Sequence, residues 1–374
     1  MSVFSKKSII AIAVVSSISL MLPAALTGCA SLGETPSDKQ TIHYKDSVAW
    51  DSERGSFVNL NQDEIDEMQD NMSLIEMLTT WWASDGQLEP PGPLPEQIPD
   101  LSVFSAENQD IRSMWLGHSS FLINFKGTNI LIDPVFGQAS PVSFAGTRFQ
   151  PPVIKREQLP SVDYVVISHD HYDHLEMETA KFFADKDITY LVPLGVSSHL
   201  VSWGVPRERI IEMDWWQETT LDGITFANTP SQHFSGRTTS TSFKTLWSSW
   251  VIKDDVNSLF FSGDTGYGPH FKAIGKKYGP FDLAFMENGQ YNERWPLVHL
   301  IPEQGIKAFN ELNAKTYYPI HWGMFNLALH DWDEPIKTID SLTKENDIKM
   351  IAPQIGEVAP LLEYQQQSQW WLLP

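Results

Sequence analysis

The sequence contains a single cysteine, Cys29, among its 374 residues, so no disulfide bond can form within the chain. Basic residues are also scarce, because 26 lysines and arginines stand against 47 aspartates and glutamates, which gives a formal charge of −21. A surface of that sign repels the phosphate backbone of nucleic acids at long range, which argues against nucleic-acid binding. The hydrophobic fraction of 42% is that of a globular protein with a true core.

The beginning of the sequence is typical of an exported protein. Lys6 and Lys7 precede an apolar run from Ile9 to Leu22, which is too short for a mature transmembrane helix. We therefore predict a signal peptide over residues 1–28. The segment ends in Leu26-Thr27-Gly28-Cys29, which resembles the lipobox of bacterial lipoproteins.

The lipobox resemblance implies cleavage before Cys29 and a lipid anchor on its thiol, which would explain why the chain has a solitary cysteine at this position. The alternative is an ordinary signal peptide in which Cys29 is incidental. Ala30 and Ser31 follow without the aspartate that retains lipoproteins at the inner membrane. We therefore expect a protein of the cell envelope, anchored to the outer membrane by several acyl chains and facing the periplasm.

The rest of the chain divides into three predicted parts. Residues 29–105 include the proline-rich stretch Glu89–Pro95 and are interpreted as a tether and an extension packed on the main domain, with a mobile linker as the alternative. From residue 106 to 356, short apolar strands alternate with helices, which indicates an α/β domain with sheets covered by helices. Residues 357–374 are predicted to be a C-terminal tail.

The densest group of chemically capable side chains is His169-Asp170-His171-Tyr172-Asp173-His174, directly after a buried strand that ends at Ser168. Imidazole and carboxylate ligands, at about 2.0–2.2 Å, suit zinc and similar divalent ions. A polar surface loop is the alternative, but burying such a cluster without a metal or other partners would be costly. The pattern therefore predicts a metal site.

The spacing His-x-His-x-Asp-His after a strand resembles the metallo-β-lactamase superfamily. This resemblance implies an αββα sandwich of two mixed β-sheets flanked by helices, with further ligands after later strands. It also implies two divalent ions bridged by Asp264. The remaining ligands are histidines and one aspartate: His169, His171 and His233 for one ion, and Asp173, His174 and His321 for the other.

Flanking motifs narrow the resemblance to one branch. They are the segments Trp115–Ser120, Ile130–Phe136, Ser262–Tyr267 and His321–Phe325. Together they resemble the branch that contains N-acyl-phosphatidylethanolamine-hydrolysing phospholipase D, and more distantly ascorbate-6-phosphate lactonase, over roughly residues 106–356. Cys29 is remote from these motifs, which disfavours antibiotic hydrolysis, because B1-type β-lactamases have a cysteine ligand.

The resemblance implies a metal-dependent phosphodiesterase of phospholipase D type, in which a hydroxide that bridges the two metals attacks phosphorus. Zinc is the expected metal, with manganese and iron as alternatives. The substrate is a phospholipid or a small molecule. A lactonase or carboxylic-ester hydrolase on the same site is the alternative function, and a non-enzymatic lipoprotein scaffold is the third hypothesis.

The predicted catalytic residues are Asp173, His299 and His118. His118 is expected to support the site, and His299 to contact phosphate or protonate the leaving group, while for both a hydrogen-bonded scaffold histidine is the alternative. Asp170 is expected either to orient a ligand or the water, or to be solvated. The side chains predicted to line an apolar cleft, or else to pack in the core, are Trp203, Trp215, Trp216, Phe271 and Trp295.

The lipid anchor gives the first testable prediction. Replacement of the single thiol in Cys29→Ser should abolish incorporation of a labelled acyl chain, because no other cysteine can accept it. The measurement is metabolic labelling in a bacterial host, with the unmodified chain as the control. Undiminished labelling of the variant would exclude this anchor.

Overall fold

The computed structural model describes residues 30–71, 86–105, 110–141 and 146–373. The predicted signal peptide over residues 1–28 and the predicted anchor at Cys29 lie outside these ranges. Within them, every helix is too short or too polar to cross a bilayer.

Strands and helices follow one another along the chain in these ranges. The strands are β1 (Trp50–Asp51), β2 (Ser56–Phe57), β3 (Ile111–Gly117), β4 (Ser120–Phe125), β5 (Thr128–Ile132), β6 (Tyr164–Val166), β7 (Thr189–Pro193), β8 (Ile210–Met213), β9 (Glu218–Leu221), β10 (Ile224–Thr229), β11 (Ser249–Lys253), β12 (Ser258–Phe261), β13 (Leu283–Glu287), β14 (Thr316–Ile320), β15 (Lys349–Met350) and β16 (Val358–Pro360). The α-helices are α1 (Asp38–Thr41), α2 (Gln62–Asp70), α3 (Met177–Phe183), α4 (Ser197–Ser202), α5 (His270–Tyr278), α6 (Pro302–Leu312) and α7 (Glu334–Glu345). Short 3-10 helices occur at Ile42–Asp46, Leu101–Phe104, Arg156–Gln158 and Arg207–Arg209.

Two mixed sheets form the centre of the described structure. The first has the order β16-β3-β4-β5-β6-β7-β8, antiparallel from β16 to β5 and parallel from β5 to β8. The second has the order β15-β14-β13-β12-β11-β10-β9, antiparallel from β9 to β12 and parallel from β12 to β15. The predicted fold class, two mixed sheets flanked by helices, is confirmed.

The side chains of β4 illustrate how the layers pack. Phe121 points into the space between the sheets, where its ring centroid lies 4.9 Å from that of Phe285 in β13. Leu122 points the other way and joins a second apolar cluster with Phe183 of α3 and Leu200 of α4. Successive residues of a strand face opposite sides, so both faces of this sheet are covered.

The described part of the N-terminal extension is packed on this domain. Tyr44 and Phe57 share a buried cluster with Trp215 and Trp247, which belong to the domain. The side chain of Asn59 also bonds to the backbone of His233, donating to its carbonyl oxygen at 2.8 Å and accepting from its amide nitrogen at 3.0 Å. These contacts hold the extension against the domain next to a predicted metal ligand.

The C-terminal segment is a part of the core rather than a tail. Residues 357–374 were predicted to lie outside the hydrolase domain, but β16 pairs with β3 as the edge strand of the first sheet. Beyond it, Trp370 and Trp371 are buried, and the ring centroid of Trp370 lies 5.3 Å from that of Trp322. The reason is apolar burial, since two tryptophan side chains remove a large area from water when they pack on the core.

This packing predicts a stability difference between neighbouring residues. Trp371→Ala should destabilise the protein by about 3–5 kcal/mol, because it empties a fully buried site. Leu372→Ala is the matched control, because Leu372 is 51% exposed, and its effect should stay within about 0.5 kcal/mol. Urea unfolding followed by tryptophan fluorescence measures both; equal free energies of unfolding would contradict the packing of the segment.

Candidate metal centre

The predicted ligands all lie in loops that leave the carboxyl ends of strands. The segment His169–His174 comes shortly after β6, His233 after β10, Asp264 after β12 and His321 directly after β14. Parallel neighbours end at the same edge of a sheet, and the two sheets face each other, so these loops meet. The structure brings all seven predicted ligands together at this edge.

Local backbone conformation aims two of these side chains at the site. Gly263, which precedes Asp264, has φ +55°, and a Cβ there would lie 2.7 Å from the carbonyl oxygen of Ser248. Only glycine allows so close an approach in a left-handed conformation. His321 itself has φ +66°, which is uncommon for a residue other than glycine.

One group of ligand-capable atoms comprises His169, His171, His233 and Asp264, all lying within 4.8 Å of one another. His171 Nδ1 lies 2.9 Å from His169 Nε2 and 3.2 Å from His233 Nε2. The Asp264 carboxylate is 3.7 Å from both His169 Nε2 and His233 Nε2. This is the group that the sequence predicted for one ion.

A second group comprises Asp173, His174 and His321 together with His118. Asp173 Oδ2 lies 2.9 Å from His118 Nε2, 3.3 Å from His174 Nε2 and 3.4 Å from His321 Nε2. Burial lowers the pKa of His118 to about 3, so this imidazole is neutral and can donate to the carboxylate. His118 therefore lies against the predicted ligand Asp173.

Asp264 joins the two groups, as expected of a bridging carboxylate. It lies 3.2 Å from His174 Nε2 and 3.1 Å from His321 Nε2. Burial alone would raise the pKa of Asp264, but the neighbouring His174 and His321 hold it well below its ordinary value. The carboxylate is therefore ionised in a buried place.

The donor set fits divalent cations. Asp264 Oδ1 and His174 Nε2 are both buried, and although they lie 3.2 Å apart, neither atom has a partner with hydrogen-bond geometry among the described residues. Leaving such atoms without a partner in a protein interior is costly. Burial also holds the pKa of His169 and of His233 well below the ordinary value, so these imidazoles are neutral, as metal ligands must be.

Two further carboxylates hold the ligand histidines from outside. Asp133, after β5, lies 2.8 Å from His174 Nδ1 and accepts hydrogen bonds from the hydroxyl and amide of Ser168. Glu287, at the end of β13, lies 3.3 Å from His321 Nδ1 and also contacts His299 Nδ1. A carboxylate on the second ring nitrogen fixes the orientation of a ligand histidine and raises its basicity.

Neither of these carboxylates was assigned a role from the sequence. Asp133 lies in the motif Ile130–Phe136, and Glu287 ends the apolar run Leu283–Met286. Both residues share one signal with Asp264, which is an acidic side chain at the end of a buried strand. This signal would have identified Asp133 and Glu287 from the sequence.

The expectation that Asp170 is solvated is wrong. It is fully buried and therefore not exposed to solvent. Its carboxylate lies 3.1 Å from Nε2 of His199, which belongs to none of the sequence motifs named above. Burial would raise its pKa, but the hydrogen bond from His199 holds the pKa of Asp170 below its ordinary range. No contact of its carboxylate with a predicted ligand imidazole is found in the described structure.

A cleft of about 440 Å3 opens onto the two groups. Its lining includes His171, Asp173, His233, Asp264, His299 and His321. The other lining residues are mainly apolar: Met68, Phe234, Trp295, Val298 and Leu327, together with the polar Gln69, Ser242 and Gln290. Of the five aromatic residues proposed for a cleft, Trp295 lines this one, whereas Trp215 and Phe271 are buried in core clusters.

Known proteins share this fold and sequence pattern. The family model described as "Beta-lactamase superfamily domain" matches residues 128–322. An uncharacterized protein of Mycobacterium tuberculosis is 34% identical over 94% of this chain and 92% of its own length. N-acyl-phosphatidylethanolamine-hydrolyzing phospholipase D 1 of Caenorhabditis elegans is 33% identical over 65% of this chain and 74% of its own length.

A solved structure supports the same fold. The metallo hydrolase Igni18 from Ignicoccus hospitalis has a TM-score of 0.52 at 20% identity, over 67% of this chain and 97% of its own. The family match covers the segment from β5 to the residue after His321, and therefore contains all the predicted ligands. The chain thus belongs to the metallo-β-lactamase superfamily and is a metal-dependent hydrolase.

Proposed function

We propose that the protein is a phosphodiesterase of phospholipase D type that works with two divalent ions, most simply zinc. The observation that carries this proposal is a cleft lined by two groups of metal-capable side chains and, beyond them, by mainly apolar residues. Such a lining suits a substrate with hydrocarbon near the reacting group. The relative from Caenorhabditis elegans, which carries the name of a phospholipase D, supports the same choice.

The proposed metal assignment follows the two groups. His169, His171 and His233 would hold one ion, Asp173, His174 and His321 would hold the other, and Asp264 would contribute to both. The chemistry that a pair of divalent ions supplies when bound is a water of lowered pKa and positive charge near the phosphoryl oxygens. Zinc suits this set of imidazoles and carboxylates, and manganese and iron are the alternatives.

His299 is placed to handle the proton of the leaving group. Its Nδ1 contacts Glu287, so Nε2 is the nitrogen left for the cleft, and the ring lies 5.1 Å from that of His233. In the proposed reaction, water adds to phosphorus and releases one proton to solvent, and the bond from phosphorus to the alcohol oxygen breaks. Nε2 gives a proton to that oxygen and regains one from solvent. The contact of Glu287 with Nδ1 fixes the orientation of the ring.

His118 has a supporting task in this proposal. It is fully buried beneath the site and donates from Nε2 to Asp173, so it orients that ligand without touching substrate. Asp173 is then both a metal ligand and the link between the metals and the interior of the first sheet.

The proposed location is the cell envelope. Support comes from the lipobox-like sequence before Cys29 and from the absence of aspartate at Ala30 and Ser31. A lipid anchor would hold the enzyme at the outer membrane, facing the periplasm, next to phospholipid. The anchor and the substrate are separate proposals, because an anchored enzyme can act on a soluble substrate.

The number of metals is tested by elemental analysis of the purified protein. We expect about two divalent ions per chain, and fewer in His233→Ala, which loses one predicted ligand. His43→Ala is the matched control, because His43 is exposed and far from the ligand groups in the sequence. If His233→Ala retained the full metal content, the assignment of this ligand would be wrong.

The substrate class is tested by turnover of two panels, one of phosphodiesters that includes a phospholipid in mixed micelles, and one of lactones. We expect phosphodiester hydrolysis, with kcat/KM in His171→Ala lowered by more than the roughly 10–100-fold typical of losing a residue that only supports a ligand. Preferential lactone turnover would favour the carboxylic-ester alternative. Equal activity in both proteins would show that the activity comes from elsewhere.

A further inference from the structure

Asp170 lies outside both ligand groups but is held by hydrogen bonds from three directions. Its carboxylate accepts from the amide of Gly236 at 2.7 Å and from Thr245 Oγ1 at 2.9 Å, and lies 3.1 Å from His199 Nε2. Asp170 is the residue between His169 and His171 in the chain. Because the three residues are consecutive, the contacts that fix Asp170 also restrict where these two ligands can lie.

Arg237 holds the rest of the same loop. Its Nη1 donates to the carbonyl oxygens of Asp170 at 2.6 Å and of Leu175 at 2.9 Å, so it joins the two ends of the ligand segment. Its guanidinium lies 3.9 Å from the centroid of the Tyr172 ring. A planar cation with several donors is suited to bind a loop in this way, and here it is almost fully buried.

The N-terminal residues of the described chain complete this arrangement. Arg237 Nε donates to the carbonyl oxygen of Ser31 at 2.9 Å, and Trp203 Nε1 donates to the carbonyl oxygen of Ala30 at 2.9 Å. The rings of His199 and Trp203 are stacked with centroids 5.8 Å apart. The chain from Ala30 onward therefore contacts the same residues that hold Asp170 and its loop.

Gly33 is the closest point of contact. Its φ is +67°, and a Cβ at this position would lie 2.4 Å from His199 Nδ1 and 3.0 Å from Trp203 Cζ2. Real Cβ atoms do not approach other atoms so closely, so any side chain here must displace the segment or His199. The sequence therefore has glycine where the N-terminal segment passes over the partner of Asp170.

We propose that Ala30–Gly33 is a strap that positions the metal-binding loop, with Asp170, His199 and Arg237 as the positioning residues that connect it to the ligands. The strap contacts no predicted ligand. It acts by restricting His199 and Arg237, which in turn restrict the backbone that carries His169 and His171. This role is independent of which bond the enzyme hydrolyses.

The test compares two glycines with nearly the same backbone conformation. Gly33→Ala introduces the close contact with His199, whereas Gly55→Ala is the matched control, because Gly55 has φ +61° and nothing within 4 Å of its added Cβ. Zinc affinity of the metal-free full chain is measured by competition with a chelating dye. Thermal unfolding of the metal-free protein is measured in parallel, to separate stability from ligand positioning.

We expect zinc to bind Gly33→Ala about 10-fold more weakly than the wild type. This is the lower end of the roughly 10–100-fold loss of metal affinity that follows removal of a residue hydrogen-bonded to a metal ligand. Gly55→Ala should bind zinc as the wild type does, even if both variants lose stability through backbone strain. Equal zinc affinities in the two variants, whatever their melting temperatures, would overturn the proposal.

A milder variant covers the case in which Gly33→Ala does not fold. Thr245→Val removes one hydrogen bond to Asp170 with little change of shape, and Thr343→Val removes a buried hydroxyl that bonds to Ile339 within α7. We expect weaker zinc binding in Thr245→Val and unchanged binding in Thr343→Val. Wild-type zinc affinity in Thr245→Val would contradict a positioning role for Asp170.

Discussion

The buried charge of two carboxylates, those of Asp173 and Asp264, is the constraint on which the rest of the structure depends. Moving an ion into a protein interior costs several kcal/mol even after relaxation, unless opposite charge and hydrogen bonds offset the cost. Here the offset comes from imidazoles on every side, and from any cation bound among them. His174 and His321 each face Asp264 with Nε2. With Nδ1, His174 faces Asp133 and His321 faces Glu287.

Alternation of carboxylate and imidazole explains why the site spans two sheets. The first sheet contributes Asp133 and the loop that carries Asp173 and His174, while the second contributes Asp264, Glu287 and His321. Each sheet thus supplies one carboxylate to the ligand groups, Asp173 or Asp264, and one that holds a ligand histidine from outside, Asp133 or Glu287. Each of the two groups of four takes members from loops of both sheets, so both groups form only when the two inner faces pack together.

The predictions from sequence were accurate where the signal is local. The alternation of short strands and helices after residue 106 was predicted correctly, because each element shows the apolar pattern of its own kind. The ligand segment His169–His174 was recognised for the same reason, since its chemistry lies within six residues. The structure brings these side chains together with the three more distant predicted ligands.

What the sequence could not supply depends on contacts between distant residues. The strand β13 was not predicted, and with it Glu287 was overlooked, because a short apolar run does not distinguish a strand from a buried helix segment. His199 has no recognisable motif around it, and its role becomes visible only when α4 is placed beside Asp170. The C-terminal pairing of β16 with β3 is likewise invisible in local composition.

That pairing determines the order in which the fold can be completed during synthesis. The β3 strand is made long before β16, the neighbour that covers its edge, because all the other strands of both seven-stranded sheets lie between them in the chain. Until then one edge of the first sheet has open backbone hydrogen-bonding groups, and the site of Trp370 on the core is empty. The nascent chain therefore cannot close its first sheet before β16, which follows all the other strands of both sheets, has been made.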